Sequence, residues 1–154
     1  MTLDRTDLLI LEALQREGRL SNQDLAQRVN LSPSPCLRRV RALEEAGVIR
    51  QYVALVDPRK VGLGLSAYVT VKLEKKGKMP IDQFTRAVLA WPEVVACYSM
   101  TGDMDYLMRV QVTDLDHYSR FVMDKLLKQA GVLDVKSNFV LERVKDTTAV
   151  PLQR

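Results

Sequence analysis

Two short stretches of this chain group side chains in ways that chemistry could use. In "LSPSPCLRRVRALEEAG", Leu31 to Gly47, three arginines fall within four positions after an alternation of serine and proline. If the segment is a helix, 100 degrees per residue puts Ser34, Arg38 and Arg41 within about 60 degrees of one another, with Arg39 about 130 degrees away. The first three offer a hydroxyl and two guanidinium groups on one face. Such groups suit guanine edges and phosphates in a major groove, with Arg39 reaching a flanking surface. Arginines on a helix are also commonly solvated or paired with a glutamate four residues on, as Arg41 and Glu45 could be. The second stretch is "TGDMDY", Thr101 to Tyr106, where Gly102 and the carboxylates of Asp103 and Asp105 sit between two apolar runs. By itself that is ordinary turn chemistry.

Other chemistries find little support. His117 is the single histidine, and Cys36 and Cys97 fall in different predicted elements without metal-like spacing, so neither a metal site nor a Cys/His nucleophile pair is indicated. No glycine-rich phosphate loop is present. We therefore expect no catalytic residues, no metal and no cofactor, and packed, reduced thiols.

The arginines need a scaffold, and the preceding sequence supplies one. Asp4 can cap a helix to about Glu17 with Ile10, Leu11 and Leu14 inward, closed by Gly18. Ser21 and Asp24 resemble a capping box for a two-turn helix that buries Leu25, Ala26 and Val29 and ends at Asn30. After a four-residue break, Ser32 is a natural N-cap for a third helix, placing Pro33 and Pro35 at its first and third positions, where backbone N–H groups have no intrahelical acceptor. Cys36, Leu37, Val40 and Leu43 form its apolar arc. Three short helices with this tight joint make a helix-turn-helix pattern. A β-rich segment, Val48 to Val56, follows without a hairpin partner, so a second copy of the chain is an available source of pairing.

Beyond "DPRKVGLG" the period changes. Leu65, Ala67, Val69, Val71 and Leu73 alternate with polar residues as in a half-buried strand. A helix over residues 79–91 follows, with Ile81, Phe84, Val88 and Trp91 inward. Two strands then flank the Thr101-Gly102-Asp103 turn. Asp114 caps a helix with a Leu115, Tyr118, Val122 and Leu126 stripe, and "VLDVKSNFVLERV" is a last strand. This order predicts an α+β chain: a three-helix unit over residues 1–50, a strand and hinge over 51–64, and a ferredoxin-like βαββαβ unit over 65–154. One sheet face would need covering, and self-association would do it.

Composition sets the outer bounds. The chain has 154 residues, is 47% hydrophobic and carries +4 at pH 7, enough for one mid-sized domain or two small ones. Residues 1–60 hold 10 basic and 8 acidic side chains and residues 61–154 hold 13 and 11, so bulk charge singles out neither part as a polyanion site. No apolar run reaches membrane-span length and the start does not read as a signal peptide, which predicts a cytoplasmic protein without membrane contact.

The stretches "LDRTDLLILEALQREGRLSNQDLA", "LSPSPCLRRVRALEEAGVI" and "SMTGDMDYLMRV", with Tyr52, Ala54 and "DP" at Asp57, resemble the Lrp/AsnC (feast/famine) transcription regulators along nearly the whole chain, more the leucine-responsive branch than the asparagine one. The resemblance implies an N-terminal DNA-binding helix-turn-helix, a ferredoxin-like ligand-regulated domain, dimers, often octamers of four dimers, and amino-acid effectors. It puts the family's recognition helix on the third helix, making Ser32, Ser34, Pro35, Arg38, Arg39 and Arg41 the DNA-contact candidates; the family often varies at the Arg38 position. It implies a roughly palindromic duplex site, with half-sites about 34–36 Å apart. It also puts an effector near the second turn, between dimers. Asp103 or Asp105 would accept from the ammonium, amides from Thr101 to Met104 would hold the carboxylate, and Tyr98, Met100 and Met104 would line an apolar pocket. Ser137, Asn138 and Phe139 would contribute a wall. The expected ligand is leucine or methionine. The competing reading is an amino-acid-binding oligomeric sensor whose N-terminal helices only dimerise.

Overall fold

The computed structural model describes residues 2–74 and 79–153, which fall into two compact units. The first comprises Met1–Leu55 together with Lys145–Arg154, and the second Val56–Val144.

In the first unit, α1 (Arg5–Arg16), α2 (Asn22–Arg28) and α3 (Pro33–Glu45) enclose Ile10, Leu11, Leu25, Ala26, Val29, Cys36 and Leu43. The α1 start is a complete capping box, in which Asp4 Oδ1 accepts from the Asp7 N–H at 2.8 Å and Asp7 Oδ2 accepts from the Asp4 N–H at 3.0 Å. Helix α1 closes at Glu17, and Gly18 takes no left-handed conformation, so its expected role as a stop is not used. At α2 the Asp24 N–H donates to Ser21 Oγ as expected, while the Ser21 hydroxyl donates to the Asp24 carboxylate rather than the box closing through the Ser21 backbone. Asn30 takes φ 55°, one of the few non-glycine residues suited to that turn.

Helix α3 begins at Pro33 as expected, with Ser32 at the N-cap position, but Ser32 makes no side-chain cap bond. Pro35 removes one of the two N–H groups, at the second and third helical positions, that a cap oxygen normally meets, and Ser32 does not bond the Ser34 N–H that remains. Gly47, at φ 69°, closes the helix in left-handed form, with its N–H on the Glu44 carbonyl and the Val48 N–H on that of Leu43. No strand forms over residues 48–57, contrary to the β-rich reading of that segment. Tyr52, Val53, Leu55 and Val56 are left exposed, because no strand among the described residues pairs with them, although the Tyr52 hydroxyl donates to Glu44 Oε1 at 3.0 Å. The chain's last residues rejoin this unit rather than the second: Leu152 packs on its core, and Val150 exchanges two hydrogen bonds with the Gln15 side chain.

In the second unit, a 3₁₀ turn (Pro58–Val61) leads into β1 (Leu65–Leu73), α4 (Met79–Ala90), β2 (Val94–Ser99), β3 (Tyr106–Val112), α5 (Leu115–Arg120, prolonged by a π-helical turn over Phe121–Leu126) and β4 (Val132–Phe139). The four strands form one antiparallel sheet in the order β2-β3-β1-β4. The alternation read in β1 holds, since Ala67, Val69, Val71 and Leu73 are buried against Phe84, Val88, Met108, Phe121 and Leu126. The apolar stripe of α5 differs from the expected one. Leu115 is exposed and Phe121 takes its place in the core, because the wider π turn brings residues five apart, Phe121 and Leu126, to one side. In α4, Ile81 is exposed and Phe84 carries the packing together with Trp91 just past the helix end, which stands edge-on to Phe121 at 5.5 Å. Pairing places Tyr68, Thr70, Leu107, Arg109 and Tyr98 together on the opposite sheet face.

Candidate functional site

The first candidate surface lies on α3. Ser34, Arg38 and Arg41 are exposed, and neither arginine forms an ion pair among the described residues, so the Arg41–Glu45 pair that helical spacing permits is not made. Ser32 is exposed beside them and Pro35 is half-buried. With proline at the first and third positions, the helix start offers the Ser34 N–H as its one donor among the first three residues. A phosphate brought to that end would meet mainly side chains.

Arg39 is placed otherwise than the spacing implied. Its Nη1 donates to Asp4 Oδ2 at 2.7 Å and to Asp7 Oδ1 at 2.8 Å, turning the side chain onto α1 instead of outward. Asp7 is nearly fully buried and Arg39 about one-third exposed. The Asp7 N–H first, and then the Arg39 guanidinium, hold the Asp4 carboxyl below its usual range, and the Asp4 and Asp7 carboxylates raise Arg39. Sequence reading found Asp4 as a cap but missed its second role. The signal available was the i, i+3 spacing of two aspartates ahead of an apolar helix.

The second candidate surface is the β2–β3 turn. Ser99 pairs with Tyr106, the Met100 N–H donates to the Asp105 carbonyl at 2.8 Å, and Gly102 takes φ 115° at the tip. Tyr98, Met100, Thr101, Gly102 and Asp103 are exposed around it, and Met104 and Asp105 are half-buried. The two carboxylates are not equivalent. Asp103 forms no hydrogen bond or ion pair among the described residues, whereas Asp105 Oδ2 accepts from the Leu73 N–H at 2.7 Å and the Asp105 N–H donates to the Val71 carbonyl at 3.0 Å. The Asp105 bond falls where the β1–β4 ladder shifts register, between Lys72 and Leu73, and so anchors the turn to the middle of the sheet.

The last-strand residues are not gathered at this turn. Ser137 pairs with Val69 and Asn138 with Tyr68 on β1, so their side chains point to opposite faces. Ser137 Oγ accepts from the Tyr118 hydroxyl at 2.5 Å and Phe139 packs edge-on to Tyr118, both toward α5. Within one chain, Ser137 and Asn138 cannot form one wall, because a strand alternates its side chains.

Comparison with known proteins agrees with both halves. A family model described as winged helix-turn-helix DNA-binding matches residues 3–50, and one described as the Lrp/AsnC ligand binding domain matches residues 66–150. The Bkd operon transcriptional regulator of Pseudomonas aeruginosa is 45% identical over 97% of this chain and 98% of its own length. The leucine-responsive regulatory protein of Escherichia coli is 38% identical over 98% and 92%. A transcriptional regulator of Neisseria meningitidis, solved in complex with L-methionine, superposes with a TM-score of 0.95 at 49% identity, covering 97% of both chains.

Proposed function

This chain belongs to the Lrp/AsnC family of DNA-binding transcriptional regulators, and from that premise we propose that it controls genes of amino-acid metabolism in response to methionine or leucine. The observation that carries the DNA half is the bare face of α3, where Ser34, Arg38 and Arg41 stand exposed and the arginines have no ion-pair partner among the described residues, on a capped three-helix scaffold. Ser32 and Pro35 border the same contact. The chain acts in the cytoplasm without catalysis of its own.

Dimers supply two recognition helices related by a two-fold axis, which read a roughly palindromic site with half-sites about 34–36 Å apart. The exposed Tyr52–Val56 segment and the open sheet face with Tyr68 and Tyr98 are the surfaces we assign to self-association, with four dimers in the larger assembly. The effector sits at the β2–β3 turn between dimers. Asp103 accepts from its ammonium, and amides from Thr101 to Met104 hold its carboxylate. Tyr98, Met100 and Met104 take its side chain. Asp105 keeps the turn in place. Asn138, on the open sheet face, enters from a neighbouring copy, whereas Ser137 is held toward α5 by the Tyr118 hydroxyl. Ligand shifts the assembly by its differential affinity for two arrangements, and DNA geometry follows.

Replacing Arg38 and Arg41 together by alanine tests the DNA half. Affinity for a duplex selected from a random pool should fall and the salt dependence should become shallower by about two, with the oligomer intact. Unchanged binding would instead favour an oligomeric sensor whose helices only dimerise.

A further inference from the structure

We propose that Arg39 is a positioning residue for DNA reading: it fixes the rotation of α3 about its own axis through the Asp4–Asp7 capping box and takes no part in phosphate contact. This rests on the DNA-binding reading above and deepens it.

The geometry is that of a closed four-oxygen arrangement. In each carboxylate one oxygen is committed to the capping box, Asp4 Oδ1 to the Asp7 N–H and Asp7 Oδ2 to the Asp4 N–H. The two remaining oxygens, Asp4 Oδ2 and Asp7 Oδ1, converge on the single nitrogen Arg39 Nη1. Both acceptors are thus held by the backbone of α1 before Arg39 arrives, so the bond they form is directional as well as attractive. The apolar packing of α3 is much less so. Cys36 and Leu43 are fully buried against α1 and α2, but such contacts tolerate small rotations, whereas a hydrogen bond at 2.7–2.8 Å does not. A second tie works in the same sense, since Asn22 Nδ2 at the start of α2 donates to the Pro33 carbonyl at 2.8 Å and fixes the N-terminal end of α3 along its axis.

The lever is large. With side chains about 5–6 Å from the helix axis, a 20-degree rotation of α3 moves the Arg38 and Arg41 tips by about 2 Å, enough to break any hydrogen bond to a base edge. A positioning residue should therefore govern discrimination between sequences, while the count of neutralised phosphates stays the same.

The test compares the full chain with Arg39→Ala, Asp7→Asn, their double variant and Arg41→Ala, measuring affinity for the selected duplex and a scrambled duplex over a salt series. Arg39→Ala should lower the selected-to-scrambled affinity ratio by about tenfold, the scale of one good base contact, with the salt slope unchanged. Asp7→Asn should do the same, and the double variant should be no worse than the worse single change, because both break one connection. Arg41→Ala should reduce the slope by about one. The proposal is overturned if Arg39→Ala flattens the slope by about one and weakens both duplexes alike, which is direct phosphate contact. It is equally overturned if both singles melt earlier yet keep the full ratio, which is a purely structural role. Where Arg39→Ala fails to fold, Asp4→Asn removes the exposed acceptor alone and gives the same comparison. A wild-type chain that binds no duplex overturns the underlying reading instead.

Discussion

Replacing Asp105 with alanine separates two roles that the β2–β3 turn assigns to its two carboxylates. The Asp105 side chain accepts from the Leu73 N–H at 2.7 Å, at a residue that is 3% exposed and at a point where the sheet ladder is irregular. Removing it leaves a buried N–H without its charged acceptor, a loss of about 1.5–3 kcal/mol. In a unit of this size each kcal/mol moves the melting temperature by about 4–8 °C, so the ligand-free protein should melt about 6–24 °C lower. Asp105→Asn keeps an acceptor oxygen and should lose about half as much. Asp103 is the contrasting control. Exposed and without a bonding partner among the described residues, it should tolerate Asp103→Asn within about 0.5 kcal/mol. Methionine at a hundredfold excess over its Kd should stabilise the wild type by about 2.7 kcal/mol. That increment should vanish in Asp103→Asn and persist in Asp105→Asn. The measurement is a melting curve with and without methionine for each variant. An Asp105→Ala protein that melts with the wild type would refute the anchoring argument, and a full methionine shift in Asp103→Asn would refute the ammonium assignment.

Two further outcomes follow from the first unit and from the helix caps. Leu152→Ala should destabilise the three-helix unit by about 1–2 kcal/mol, read from the helical signal in far-ultraviolet dichroism, while fluorescence of Trp91, the sole tryptophan and a residue of the other unit, keeps its midpoint. The Asp4 and Asp114 carboxyls sit below their ordinary value near 3.8, Asp4 chiefly through the Asp7 N–H and Asp114 through the His117 N–H. A depressed folded-state value gives stability that is present above the unfolded value and lost as pH falls through the folded one, so denaturant midpoints should drop below about pH 4 and stay level from about pH 5 to 7.

The sequence alone determined what depends on residues near one another in the chain. The capped starts at Asp4 and Ser21, the prolines at the front of α3, the period-two alternation of Leu65–Leu73 and the order of elements in the second unit are set by local backbone preference and by the side each apolar residue must bury. From those, the exposed face of Ser34, Arg38 and Arg41 follows by helical spacing. Only tertiary structure decided what depends on residues brought together from a distance. Arg39 is read as a DNA contact reaching a flanking surface until Asp4 and Asp7, more than thirty positions earlier, are folded against it. Asp105 is a turn carboxylate until Leu73 presents its N–H. Ser137 and Asn138 become separate residues once the pleat sends them to opposite faces. The Val48–Val56 segment shows the same division from the other side: its β propensity is legible, but a strand exists only when another supplies its hydrogen bonds, and none within the described residues does. Local preference fixes which groups a segment carries and on which face, whereas a charged or hydrogen-bonding side chain takes its role from its partner, and the partner is chosen by packing.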